Sequence, residues 1–141
     1  MLQKLNIQFL ISYFGIFPFI YILLDKYFFY QIKEEIISNF IIYYSLIILV
    51  FIGSINWDLR KKIPVYLALY GAIPSFFALI IILMNLFQVD FLIIKIFLII
   101  FFILQLILDY YLIHTYVRNK NAYFYLRVPL TFLVCIFMIF I

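Results

Sequence analysis

The chain alternates between long apolar runs and short breaks that hold most of its charged residues. Crossing roughly 30 Å of hydrocarbon takes a helix of about 20 apolar residues. Five runs approach or exceed that length, at residues 7–24, 36–59, 63–87, 91–113 and 123–141. Helices are expected because backbone N–H and C=O groups in lipid must be satisfied within the protein. The pattern therefore predicts an all-α bundle of five transmembrane helices, with residues 1–141 as a single membrane domain.

Composition strengthens this interpretation. The chain is 70% hydrophobic and 11% charged, whereas soluble domains carry about 25% charged residues. A soluble fold of this size could not bury so much apolar surface, so the lipid bilayer is the expected partner. No basic surface domain is present to bind nucleic acid. Cys135 is the only cysteine, and no Cys/His spacing suggests a metal. We therefore expect no metal and no cofactor.

Orientation follows from the positions of lysine and arginine. If five helices cross, one side of the membrane receives Lys4, Arg60, Lys61, Lys62, Arg118, Lys120 and Arg127. The other side receives Lys26 and Lys33, with Lys95 just inside the fourth helix. By the positive-inside rule the first side is cytoplasmic. The N-terminus is therefore predicted in the cytoplasm and the C-terminus outside, in a bacterial-type inner membrane. The run at 7–24 is long, and no small-residue cleavage site follows it, which favours a membrane helix over a signal peptide.

Small or special residues recur on one face of several predicted helices, where they would let helix backbones approach closely. The positions assigned to helix packing or to short motifs are Gly15, Pro18, Gly53, Trp57, Gly71, Pro74, Ser75 and Thr131. Pro18 is expected to bend the first helix. Trp57 is interpreted as an anchor at the membrane interface.

Polar residues inside the predicted helices form a candidate intramembrane cluster near the cytoplasmic face: Asn56, Arg60, Gln105, Asp109 and Arg127. Asp109 and Arg127 each lie about one turn inside a predicted helix from the same side, so they should reach a similar depth. A lone carboxylate there is costly and is expected to be paired. We predict an Asp109–Arg127 ion pair, with Asn56 or Gln105 as hydrogen-bond partners. The alternative is that Arg127 extends to the lipid headgroups.

Four segments resemble the DUF3429 family of TMEM69-like membrane proteins. Residues 15–19 resemble its Gly/Pro stretch, and residues 71–75 resemble its Gly-x-x-Pro-Ser element. Residues 51–57 resemble its Phe-Leu-Gly-Gly-x-His-Trp-Gly motif, and Asp109 with residues 125–131 resembles its ending. Asn56 and Asp58 stand where the family has His and Gly. The resemblance implies a multi-helix protein of a bacterial inner or mitochondrial membrane, and it supplies no reaction.

The residues leave three functions open. The first is a non-enzymatic accessory protein that binds another membrane protein, because the breaks are too short for a catalytic domain and no catalytic motif is evident. The second is a small oligomeric transporter or channel, with an intramembrane polar site near the cytoplasmic face. Its path would be lined by Gly53, Asn56, Gly71, Pro74, Ser75, Gln105 and Asp109. The third is an enzyme acting on lipid or quinone through Asn56, Asp109 and His114.

Overall fold

The described part of the chain is almost entirely helical. A computed structural model describes residues 7–54, 64–115 and 123–141. Its helices are α1 (Ile7–Phe14), α2 (Phe17–Leu24), α3 (Glu34–Ser54), α4 (Val65–Leu86), α5 (Phe91–Thr115) and α6 (Val128–Phe140). Asp25–Phe29 extends α2, and Tyr123–Arg127 precedes α6, each as a π-helical turn. The predicted all-α class is confirmed.

Three of the described helices are long and apolar enough to cross a membrane. These stretches are Glu34–Gly53, Val65–Leu86 and Phe91–Leu112. The last predicted run contains a shorter apolar helix, Phe124–Phe140. Lengths and composition thus support a membrane protein, as the sequence predicts.

The first apolar run is interrupted, where the sequence suggests one bent helix. The backbone N–H of Gly15 donates to Ser12 O at 3.3 Å, and that of Ile16 donates to Tyr13 O at 3.1 Å. These tighter bonds close α1 before α2 begins. Pro18 lies near the start of α2. There its missing N–H is tolerated, whereas its ring would clash with the carbonyl of residue 14 in a continuous helix. Pro18 therefore separates two short helices.

Contacts divide the chain into two compact units, Met1–Ile37 with Ile99–Ile141, and Ser38–Leu98. In the first unit, α2 packs against α6 in a parallel arrangement. At one end, the Tyr13 hydroxyl donates to the carbonyl oxygen of Tyr125 at 2.5 Å. At the other end, the Tyr27 hydroxyl donates to the carbonyl oxygen of Phe140 at 2.8 Å. Tyr13 precedes Tyr27 in the first segment and Tyr125 precedes Phe140 in the last segment. The first and last helical segments are therefore parallel.

In the second unit, α3 and α4 approach closely at Gly53. A Cβ atom at this position would lie 2.6 Å from Pro74 Cγ and 3.0 Å from the carbonyl oxygen of Gly71. Neither neighbour is the end of a flexible side chain. Glycine is therefore required at Gly53 by the close approach of the two helices, as the small-residue pattern predicts.

The buried face of α4 departs from the predicted stripe at one position. Leu67, Gly71, Pro74 and Ala78 are buried, but Ser75 is exposed. With about 100° of rotation per residue, Ser75 lies roughly 80° from the centre of the buried face. Ser75 therefore lies outside the buried face of α4, whereas the sequence pattern places it on the inward-facing stripe. Its spacing of four from Gly71 places it on the neighbouring, outward-facing strip.

Replacing Gly53 by alanine tests the close approach. Overpacking costs about 1–3 kcal/mol, while alanine gains about 1 kcal/mol in helix propensity over glycine. We expect a net loss of up to about 2 kcal/mol in the free energy of unfolding, measured by SDS titration in detergent. Combining Gly53→Ala with Pro74→Ala should recover most of this loss, because the proline ring makes the closest contact. A Gly53→Ala protein that was more stable than the wild type, by the full gain in helix propensity, would contradict the geometry.

Candidate polar site in the first unit

An ion pair joins α5 to the helical turn before α6. Arg127 Nε donates to Asp109 Oδ2 at 2.6 Å, and each side chain is only 12% exposed. Asp109 lies less than two turns before the end of α5, and Arg127 ends the π-helical turn Tyr123–Arg127. The contact itself places these two positions at the same level. The pair predicted from the sequence is present.

A second polar layer lies one turn further along each helix. Gln105 precedes Asp109 by four residues and Thr131 follows Arg127 by four, so each shares a face with a member of the pair. Gln105 and Thr131 are each 3% exposed. Within the described part of the chain, neither Thr131 Oγ1 nor Arg127 Nη1 has a hydrogen-bond partner. The site therefore retains hydrogen-bonding capacity beyond the ion pair.

Apolar side chains continue both faces beyond the second polar layer. Phe102 on α5 and Val134 and Met138 on α6 are buried. Cys135, the other chemically reactive group on this face of α6, is also buried. On both helices, the polar side chains are therefore followed by buried apolar side chains.

The other predicted site residues are placed as follows. Asn56, Trp57 and Arg60 lie outside the described residues, so three of the five candidate cluster members can be located: Gln105, Asp109 and Arg127. The side chain of His114 also lies outside the described set. Of the packing positions, Gly53, Gly71, Pro74 and Thr131 are buried, whereas Gly15 and Pro18 are half-buried.

A buried carboxylate that sequence reasoning missed lies at the other end of this unit. In the sequence Asp25 falls in the charged break directly after the first apolar run, yet it is 1% exposed. Its Oδ2 accepts the backbone N–H of Ile32 at 2.9 Å, and its Oδ1 accepts that of Gln31 at 3.3 Å. Its carbonyl oxygen accepts the N–H of Tyr30, which has a left-handed φ of 52°. The sequence does contain a signal for this turn. An isolated aspartate directly after an apolar run can indicate a capped turn, since aspartate side chains commonly accept hydrogen bonds from nearby backbone N–H groups.

Two side chains at the same end of the unit donate hydrogen bonds to carbonyl groups at the end of α6. Lys26 Nζ donates to the carbonyl oxygen of Ile141, and the Tyr27 hydroxyl donates to that of Phe140 at 2.8 Å. The last carbonyls of a helix have no partners within the helix, and a cation there complements the helix dipole. Residues just after α2 therefore cap α6.

The geometry favours a structural role for the Asp109–Arg127 pair. Asp109 Oδ2 accepts the hydrogen bond from Arg127 Nε, so this carboxylate oxygen is engaged in the contact between two helical segments. Among the residues that the structure describes, no group of three or more His, Cys, Asp or Glu side chains could hold a metal ion. The pair joins two helices with opposite charges that cancel, as expected for ionisable residues within a membrane.

Comparisons with protein-family models, curated proteins and solved structures found no match to the chain.

Proposed function

We propose that the chain is a multi-pass protein of a bacterial-type inner membrane, with five crossings, a cytoplasmic N-terminus and an external C-terminus. The three long apolar helices support membrane insertion. The parallel course of the first and last helical segments supports an odd number of crossings, since such segments traverse the bilayer in the same direction only then. The lysine and arginine distribution supports the orientation.

Single-cysteine labelling tests this topology. In a Cys135→Ser background, cysteine replaces Gln31, Gln88 or Asn119 in turn, and intact cells are treated with a membrane-impermeant maleimide. We expect labelling at Gln31 and Gln88 in intact cells, and at Asn119 only after the membrane is opened. Labelling of Asn119 and Gln88 from the same side would overturn the five-crossing arrangement.

We further propose that the protein is a non-enzymatic accessory subunit that binds another membrane protein. The observation that carries this proposal is the Asp109–Arg127 pair, in which the intramembrane carboxylate is engaged in joining two helices. A pair of this kind stabilises the packing of the helices themselves. Affinity purification from native membranes after crosslinking, followed by mass spectrometry, tests the proposal. A stoichiometric membrane partner is expected, and recovery of the chain alone would contradict it.

The alternative proposal is a small oligomeric transporter or channel. Two observations favour it: the interruption between α1 and α2, and the unpartnered Thr131 Oγ1 and Arg127 Nη1 within the described residues. Interrupted membrane helices often line substrate sites in transporters. Flux of ions and small metabolites into proteoliposomes distinguishes the two functions. The transporter proposal requires flux that Thr131→Val reduces, and no flux in any condition would eliminate it.

Kinship with the DUF3429 family is also part of the proposal. It is supported by contact between two of the motif-bearing segments, because Gly53 from residues 51–57 packs against Gly71 and Pro74 from residues 71–75. An alignment of homologues tests it. The proposal expects small residues at Gly53 and Gly71 throughout, and unrelated residues at these positions would count against it.

A further inference from the structure

An open apolar groove runs between α3 and α4 in the second unit. Its sides include Ile47, Val50 and Phe51 on α3 and Ala78 and Ile82 on α4, and its volume is about 580 Å³. This volume lies within the usual range for small-ligand pockets, about 300–1,000 Å³. Ile47 is 64% exposed and Phe51 is 62% exposed. The groove therefore opens on the outer surface of the chain, on two helices suited to crossing a membrane.

One residue that lines the groove carries a hydroxyl group, and it lies at one end of the groove. Tyr43 lines the groove, and its hydroxyl oxygen accepts a hydrogen bond from Asn85 Nδ2 at 3.1 Å. Asn85 Nδ2 also donates to Asn39 Oδ1 at 3.2 Å. Because the Tyr43 hydroxyl acts as an acceptor in this network, its own hydrogen can be donated to a ligand oxygen. The network also fixes the antiparallel pairing of α3 and α4 at this end.

A single hydroxyl-bearing residue at one end of an otherwise apolar groove matches a molecule with one polar end and a long apolar tail. A transmembrane helix would dock best against a face with small residues repeated along its length. The groove instead has a single small residue, Ala78, between larger side chains such as Ile47 and Phe51. From Tyr43 to Phe51 the groove extends about 12 Å along α3, at 1.5 Å per residue. That length suits an acyl chain lying parallel to the helices.

We propose that this groove binds one acyl chain of a bilayer phospholipid, and that an oxygen of the lipid's ester or phosphate group accepts a hydrogen bond from the Tyr43 hydroxyl. The site retains a particular lipid molecule instead of exchanging it freely with the surrounding bilayer. This inference requires the chain to lie in a membrane, and it is independent of the accessory role.

Lipid retention tests the proposal. The full chain is purified in mild detergent with repeated detergent exchange, and bound phospholipid is measured by phosphorus content and by intact mass. The wild type is expected to keep about one phospholipid per chain, because the groove has room for one lipid molecule. Val50→Phe places a ring in the groove and should abolish retention. Val65→Phe, the same change at an exposed position outside the groove, should leave retention unchanged.

A second variant addresses the polar end. Tyr43→Phe keeps the ring and removes the hydroxyl, so lipid affinity should fall about fivefold, the contribution of one neutral hydrogen bond. Helical circular dichroism and a single gel-filtration peak confirm that each variant is folded. Equal retention by wild type and Val50→Phe would overturn the proposal. So would an unchanged affinity in Tyr43→Phe, or recovery of a second protein in place of lipid.

Discussion

Replacing Arg127 by alanine should lower the free energy of unfolding by about 3–5 kcal/mol, because Asp109 then loses its partner in apolar surroundings. The 2.6 Å contact and the 12% exposure of both side chains place the pair in the range where desolvation is costly. Asp109→Ala should cost a similar amount, since it leaves the guanidinium unpaired. SDS or thermal unfolding in detergent measures both losses.

The matched control removes both charges together. Asp109→Leu combined with Arg127→Leu should be much closer to wild-type stability than either single alanine variant, since replacing a buried pair with apolar residues is often neutral or stabilising. Lys33→Ala, at an exposed lysine, should change stability by no more than about 0.5 kcal/mol. If Arg127→Ala were as stable as Lys33→Ala, Arg127 would be reaching the headgroups, as the alternative interpretation of the sequence holds.

The ion pair could be predicted because depth in a membrane can be counted along a helix. Asp109 and Arg127 each lie near the same predicted interface, and an unpaired carboxylate there is costly. The close helix contact at Gly53 could be predicted in a similar way, since small residues at regular spacing mark close helix contacts. Both predictions need only the spacing of residues along the sequence, because helix geometry converts that spacing into a depth or a face.

Ser75 and the first apolar run show where such patterns fail. Gly71 and Ser75 share a face by spacing, but the packing partner covers only the strip centred between Pro74 and Ala78, and the sequence of one helix does not reveal where its neighbour lies. In the first run, Pro18 predicts a disturbance in the helix. Whether that disturbance is a bend or an interruption depends on bonds such as Gly15 N to Ser12 O, which form only if the neighbouring structure allows the turn.

Asp25 was missed for a related reason. Hydropathy treats an aspartate at the end of an apolar run as part of a solvated break. The structure instead buries its carboxylate against backbone N–H groups six and seven residues later. Helix electrostatics do not explain the position, because a negative charge at a helix C-terminus is unfavourable. The hydrogen bonds to Gln31 and Ile32 must therefore outweigh that cost, and they hold the turn between α2 and α3.

Asp25→Ala should accordingly lower the free energy of unfolding by about 2–3 kcal/mol, since each unsatisfied buried N–H costs about 1–3 kcal/mol and Gln31 is partly relieved by its exposure. Asp25→Asn should fall between alanine and wild type, because an amide oxygen can still accept a hydrogen bond but carries no charge. Amide hydrogen exchange offers a local readout, with faster exchange expected at Gln31 and Ile32 in both variants.

Asp90 provides the matched control, because its Oδ1 accepts the N–H of Leu92 at 3.1 Å in an exposed position before α5. Asp90→Ala should cost about 1 kcal/mol, the usual value for losing an exposed helix cap. A larger loss at Asp90 than at Asp25 would show that burial does not strengthen the Asp25 turn. Since Lys26 and Tyr27 follow directly and cap α6, loosening this turn should also speed exchange at the end of α6, whereas Asp90→Ala should leave that exchange unchanged.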